Sequence, residues 1–432
     1  MTAKVRGCDA GVHRKALRKA TQQPIPIAMS TPAPAESFSR ARQIELIVLF
    51  GILTTLTPIG IDMYLPALPT IAREFHSPIA AIEHSLASFF LGLCLGQTVI
   101  GPISDRFGRR MPIIVGMVLY LAGSVACALA QGPLTLDTAR FMQAVGSCAG
   151  SVVARACVRD LFPPNQASRI FAQMLLILSV SPLFAPFVGG WLMPLMGWRG
   201  LFWVQAVIAI VTLVPVLTLL PESHPGSDRR LHPLHVLKDY WHIARDPNFY
   251  RYIVPGMITG GGLYVFLTGW PHVVIGLYHV SPQYFGFTFV MNGVGLIIFS
   301  QATARWLKHH SGEPLLQAGI TANAVLGAGA LVMGLTGWGG LLGLIPFLLC
   351  YCAMMGSISP TATGLTMQHF GHAAGMASAL MGMLIYGAGT LASLAMGAFP
   401  NPTTAAPMTG LICGFGVAGL ATYLLFRARP AR

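Results

Sequence analysis

Charge is what this sequence has least of. Only 9% of its 432 residues are Asp, Glu, Lys or Arg, against about 25% in an ordinary soluble domain. So few charges do not cover a water-facing surface, which excludes a soluble enzyme, a nucleic-acid binder and a disordered chain. Acidic residues are scarcer than basic ones, 14 against 27, and the formal charge is +13. The motifs of catalysis are missing too. There is no HExxH, no GxSxG and no P-loop, and no interior cluster of Asp, His or Cys that would hold a metal. Neither an enzyme nor a direct user of ATP is expected. The eight cysteines show no metal-ligand spacing: Cys94, Cys127, Cys148, Cys157, Cys350, Cys352 and Cys413 lie in apolar stretches, and Cys8 in a basic leader. Cys350 and Cys352, two apart on a helix, point to different sides, so all are read as small apolar packers. His272 stands alone and is read as a polar packer rather than a ligand. No apolar core precedes Ile44, so the leader, residues 1–43, is not a secretory signal. It reads as a disordered cytoplasmic tail lying near anionic lipid, with Met29 as an alternative start.

Apolar residues, by contrast, make up 54% of the chain, and 48 are glycines, which let helices approach closely in lipid. Windows of about 20 apolar residues give twelve candidate spans: 44–66, 84–104, 111–131, 134–156, 168–194, 199–220, 251–276, 282–304, 314–335, 339–358, 372–397 and 407–426. The longest connection, 221–250, is polar and divides them into a first half, 44–220, and a second half, 251–426, followed by a tail, 427–432. The expected fold is an all-α membrane protein of twelve helices in two six-helix halves. Lys and Arg fall almost wholly on one side of it, with only Arg73 and Arg199 on the other. By the positive-inside rule both termini are cytoplasmic, in the cell inner (plasma) membrane. That distribution explains the net charge without nucleic acid. A faint internal echo relates Gly96–Arg110 to Leu296–His310, each an apolar helix running into a basic turn.

Charges inside spans are costly and therefore informative. Two stand out, Asp62 in span one and Arg140 in span four, and spans seven to twelve hold no interior carboxylate. Thr55, Ile59 and Asp62 share one helical face between Pro58 and Pro66. A carboxylate poised between burial and a nearby Arg loads and unloads a proton as its surroundings change. The alternative places Asp62 near the membrane surface, satisfied by water and backbone. Arg140, Gln143, Ser147 and Ser151 likewise share one side of span four. Arg140 either pairs with Asp62 or contacts substrate, or it holds a fixed structural hydrogen bond; Asp137, one turn earlier, is another partner for it. At the inner end of span two, Gly101, Asp105, Arg106, Gly108 and Arg109 form a glycine-containing basic turn in which Asp105 and Arg109 are spaced for an ion pair.

The run GPISDRFGRR over residues 101–110 resembles the signature between spans two and three of the major facilitator superfamily. Three further segments resemble its Bcr/CflA group of drug–proton antiporters: DMYLPALP from Asp62, RFMQAVG from Arg140, and SPLFAPFVGG from Ser181, with Pro182, Pro186, Gly189 and Gly190. Ser181 and Ala185 stand where that pattern has glycines. The resemblance implies a proton-coupled multidrug exporter working by alternating access, in which Arg140 serves proton coupling. It also implies that Asp105 and Arg109, with Arg159 or Asp160, form a cytoplasmic charge cluster that latches the outward-facing state, and that the segment around Pro186 is a hinge and seal. The proton gradient supplies the energy and no cofactor is expected. The expected partners are protons, a phenicol- or bicyclomycin-like drug and the bilayer, and a single chain encloses a complete pathway as a monomer. The substrate cavity is expected at Tyr64, Phe89, Phe90, Met142, Gln143, Tyr264, Trp270 and Asn292. A metabolite importer or facilitator on the same fold is the alternative.

Overall fold

The computed structural model describes residues 39–224, 226, 233–370 and 374–427. The leader to residue 38, with Cys8 and Met29, and the tail 428–432 lie outside the described residues, as do linker residues 225 and 227–232.

Among the described residues there are only helices, turns and connections. α1 (Arg40–Asp62) starts at Ser39, whose hydroxyl accepts from the Arg42 amide, a standard N-cap. A 3-10 turn (Leu65–Ala67) and the short α2 (Leu68–Glu74) follow. The first half continues with α3 (Ile79–Phe107), α4 (Arg110–Ala128), α5 (Pro133–Leu161) and α6 (Pro164–Leu219). Next come the linker helix α7 (Pro233–Arg245), α8 (Pro247–Pro271) and a π-helical turn (His272–Leu277). The second half ends with α9 (Pro282–Trp306), α10 (Gly312–Thr336), α11 (Gly340–Met367), α12 (Ala374–Gly397) and α13 (Ala406–Arg427).

Eleven described helices are long and apolar enough to cross a membrane. The 56 residues of α6 would span about 84 Å at 1.5 Å per residue, far more than one bilayer core. The helix is in fact two crossings, which reverse at Gly197, whose φ of 68° and ψ of 179° leave the helical region. The total is therefore the twelve crossings expected.

Two boundaries move in ways that matter. α3 begins at Ile79, directly after Pro78, rather than at 84, and this brings Glu83 inside a crossing. α5 runs on to Leu161, so Asp160 is a helical residue.

Within the first half α5 packs along both α3 and α4, and α1 packs along α6; within the second, α11 packs along α9 and α10, and α13 along α8 and α10. Small residues make the approaches close. A β-carbon on Gly116 would lie 2.3 Å from that of Ala149, and one on Gly92 2.7 Å from the Phe141 carbonyl. The halves meet along α3 with α12 and α6 with α9. At the end opposite the basic turns this joint is closed. The 3-10 turn touches α8 and α9, α2 touches the π turn, and Gly190 lies against the Pro282 carbonyl.

The duplication is also written at that closed end. Phe75-His76-Ser77-Pro78 and Tyr278-His279-Val280-Ser281-Pro282 each lead into a helix, and His76 and His279 both take left-handed backbone, φ 50° and 53°.

Candidate functional site

Asp62 is the last residue of α1 and 5% exposed. Contacts with two different helices flank it. Two residues before it, the Gly60 carbonyl accepts from Arg140 Nη1 at 2.8 Å; one residue after it, the Met63 carbonyl lies against Gly189, where a β-carbon would come within 2.2 Å. The carboxylate itself is in none of the four ion pairs among the described residues, which join Arg42–Glu45, Arg109–Asp105, Arg109–Asp160 and Arg199–Glu74. The tie between Asp62 and Arg140 that the spacing suggested is thus replaced, in this structure, by a tie between Arg140 and the backbone of α1.

Arg140 is fully buried and makes itself at home without a carboxylate. Its Nη1 also donates to Gln143 Oε1 at 2.6 Å. Its guanidinium carbon lies 4.2 Å from the Phe89 ring centre, 4.7 Å from Tyr64 and 5.8 Å from Phe202. Three aromatic rings around a desolvated guanidinium supply attraction of about 2 kcal/mol for the best placed. Nε and Nη2 have no hydrogen-bond acceptor. Asp137 does not serve Arg140, and its own Oδ1 is unpartnered. Gln143 carries the network onward, donating through Nε2 to Ser124 Oγ at 2.8 Å and Gln205 Oε1 at 2.7 Å. Ser147, also on that face, accepts from Thr57 at 3.2 Å. The polar face of span four therefore binds α5 to α1, α4 and α6.

The eight cavity candidates do not form one site. Tyr64, Phe89 and Gln143 surround Arg140, and Tyr64 exchanges a 2.8 Å hydrogen bond with Ser85. Phe90 and Tyr264 meet across the halves, ring centres 4.8 Å apart and edge to face. Trp270 is buried within the second half, donating to Thr288 Oγ1 at 3.0 Å and stacking on Phe266; Asn292 is also buried there, bonded to Cys352. Met142 lines a groove of about 440 Å³ between α4 and α5 with Leu129, Thr135 and Ala139, away from the joint.

In the basic turn the Asp105–Arg109 pair that the spacing suggested is formed. Arg109 binds Asp105 at 2.5 Å, Asp160 at 2.7 Å and Ser104 at 2.8 Å. Asp160, not Arg159, is the α5 member, because Arg159 points out and is exposed. Gly108, with φ 83°, is required: a β-carbon would sit 2.7 Å from the Glu222 carboxylate. Gly101 has nothing within 4 Å of such an atom, so close packing does not explain it. Arg106 is exposed beside Phe107. Glu222 is the member that the motif does not include. It accepts the amides of Arg109 at 2.6 Å and Arg110 at 3.1 Å, capping α4 and neutralising the positive end of its dipole. Close by, Tyr240 of the linker helix donates to the Thr98 carbonyl at 3.2 Å. Burial pushes that hydroxyl's pKa up, with the Asp105 charge adding to it, so it stays a donor.

Pro182 and Pro186 lie inside α6 without ending it. Gly189 faces α1 and Gly190 faces α9, so this segment touches both halves at the closed end. Among the described cysteines all are free, with Cys350 exposed and Cys352 buried, and no metal-holding group occurs among the described residues. His272 Nε2 donates to the Pro402 carbonyl at 2.9 Å.

Residues 50–393 match the family model of the Major Facilitator Superfamily. The chain belongs to that superfamily. It is a multi-pass membrane transporter and not an enzyme. It is 32% identical over 380 residues to the uncharacterized MFS-type transporter YdgK of Bacillus subtilis, covering 87% of this chain and 94% of YdgK. It is 27% identical over 366 residues to a bicyclomycin resistance protein homolog of Haemophilus influenzae, covering 84% and 91%. To the multidrug resistance protein MdtL of Escherichia coli it is 32% identical over 175 residues, 40% of this chain and 45% of MdtL. The resemblance to the Bcr/CflA exporters therefore stands. Among solved structures, the transporter is similar to a D-xylose-proton symporter, with TM-score 0.70, 17% identity and coverage of 89% and 97%. It is also similar to the nucleoside transporter NupG, with TM-score 0.71, 11% identity and coverage of 90% and 99%; at these identities the likeness is one of fold.

Glu83 is the residue of the transporter that sequence reasoning missed. It is fully buried and neither carboxylate oxygen has a partner. The Ser77-Pro78 helix start would have revealed it, by moving the span back to Ile79. Gln205 and Tyr120, which extend the Arg140 network, carry no such signal.

Proposed function

We propose that the transporter exports small amphipathic drugs, phenicol- or bicyclomycin-like, in exchange for protons, from the cytoplasmic side of the inner membrane and as a single chain. The observation that carries the coupling reading is the place of Asp62. It is a buried carboxyl without an ion-pair partner, at the end of α1, between Arg140's hold on Gly60 and Gly189's contact with Met63. Any movement of α5 or α6 against α1 changes its surroundings, and that is what a proton site must experience to be coupled. The bicyclomycin resistance protein homolog of Haemophilus and the multidrug resistance protein of Escherichia support drugs as the substrate class. The basic turns support a cytoplasmic side for both termini.

In this cycle, a proton on Asp62 favours the form closed at the end away from the basic turns. Drug binding and proton loss favour the form open there. The test is drug-driven proton movement in everted vesicles with an acidic lumen. Addition of chloramphenicol releases protons from the lumen as the drug enters it. Drug movement with no accompanying proton movement would make the transporter a facilitator instead.

A further inference from the structure

Glu83 belongs to no part of the site above, and its setting is specific. It lies on one stripe of α3 with Phe90, Cys94 and Gln97, at separations of seven, four and three residues. The other three touch the second half: Phe90 meets Tyr264, Cys94 lies by Gly387 and Gln97 by Gly382. Glu83 therefore faces the joint between the halves, near its closed end. One turn toward the surface, Ile79 lines a cleft of about 640 Å³ that both halves form, along with Arg73, His76, His272, His279 and Asn401. The carboxyl is sealed one turn beneath that cleft, and neither oxygen receives a hydrogen bond.

The charged and titratable groups around this end are otherwise occupied or elsewhere. On α2, Arg73 bonds Pro69 and Thr70, and Glu74 holds Arg199 and Trp198. On α5, Arg140 is held as above and Asp137 has an unpartnered oxygen of its own. Cys127 of α4, Tyr264 of α8, His272 of the π turn and His84 of α3 itself make no bond to Glu83. The described part of α12 has Tyr386 as its only titratable side chain. An ionised carboxylate buried without a partner costs several kcal/mol, whereas a neutral carboxylic acid costs much less. Closure of this end is therefore compatible with Glu83 in its acid form.

We propose that Glu83 is a second proton-carrying site, which takes up a proton when the end opposite the basic turns closes and exposes its carboxyl to water when that end opens. The proposal rests on the alternating-access part of the function proposed above, but not on the role of Asp62. It predicts that closing this end draws in a proton independently of the coupling proton.

The test is the distance across the cleft, between spin labels on cysteines placed at Ser77 and Asn401 after replacement of the native cysteines, in lipid nanodiscs. In the parent protein the open-to-closed ratio at this end rises with pH, by up to about tenfold per pH unit where the group titrates. In Asp62→Asn, which removes the other proton site, this response persists, and adding Glu83→Gln keeps the end closed, with the ratio changing less than about twofold across the same range. Glu83→Asp keeps the acid and keeps the response. A Glu83→Gln protein with the parent's pH response overturns the proposal, as does a Glu83→Asp protein that loses it, since packing alone would then explain the effect. If Asp62→Asn abolishes the response while Glu83→Gln leaves it intact, the second site fails and the Asp62 reading stands.

Discussion

Arg140 holds the Gly60 carbonyl at 2.8 Å while Asp62, two residues further along the same helix, is left without a counter-ion. Arg140 is tied to the main chain of the helix that carries Asp62, so movement of α5 against α1 alters the surroundings of both. Arg140 meanwhile depends on its aromatic surround and on Gln143.

Replacement of Arg140 by Lys tests that dependence. Lys keeps the charge but loses the planar guanidinium that lies among the Tyr64, Phe89 and Phe202 rings. The expected result is loss of proton-coupled drug export by at least about tenfold and a lower melting temperature, from a cost of about 1–3 kcal/mol. Export assays and thermal denaturation in detergent check it. Gln143→Ala should show a similar stability loss, because it strands the Arg140, Ser124 and Gln205 partners.

The two acidic partners of Arg109 should differ. Asp105 has a 65% exposed side chain, against 23% for Asp160. An exposed pair contributes about 0.2–1 kcal/mol, a sheltered charge-assisted bond about 1.5–3 kcal/mol. Asp160→Asn is thus expected to lower stability and export more than Asp105→Asn, and Arg159→Gln to leave both near parent values. Melting curves of the three variants decide it.

Glycines of the recognised motifs are not equivalent. Gly189→Ala puts a methyl group 2.2 Å from the Met63 carbonyl, a backbone atom beside Asp62. That overpacking costs about 1–3 kcal/mol, and export should fall sharply. Gly108→Ala meets the Glu222 carboxylate and a left-handed backbone, at about 1–2 kcal/mol. Gly101→Ala has open space and should be tolerated. Expression, melting temperature and export for the three rank them.

Of the cavity candidates, Phe90 and Tyr264 are the pair that bridges the halves. Phe90→Ala and Tyr264→Ala should weaken drug binding, with a coupling of about 0.5–1.5 kcal/mol between them in a double-mutant cycle. Met142→Ala should leave binding unchanged, and Trp270→Ala should act on stability alone. Binding titrations on purified protein provide the comparison.

Much of the architecture was legible in the sequence because a bilayer leaves so few choices. Twenty apolar residues must be a helix, and the polar stretch after Pro221 must be outside, so the two halves could be read from hydropathy. The Asp105–Arg109 pair was legible from helical spacing. What spacing cannot show is which acceptor a buried cation takes. Arg140 found a main-chain carbonyl, and carbonyls have no letter in a sequence. Glu222 capping α4 across 112 or 113 residues, and Gln205 completing the Arg140 network, depend likewise on tertiary approach. Glu83 was hidden by a hydropathy window that opened one residue too late, at 84.

The most direct test of the central claim is drug export under an imposed proton gradient, comparing the parent with Asp62→Asn in intact or everted vesicles. If Asp62 carries the coupling proton, the parent exports chloramphenicol-like compounds only with the gradient, and the variant loses that dependence. Gradient-independent movement by the parent, or a variant as active and as gradient-dependent as the parent, would contradict the account.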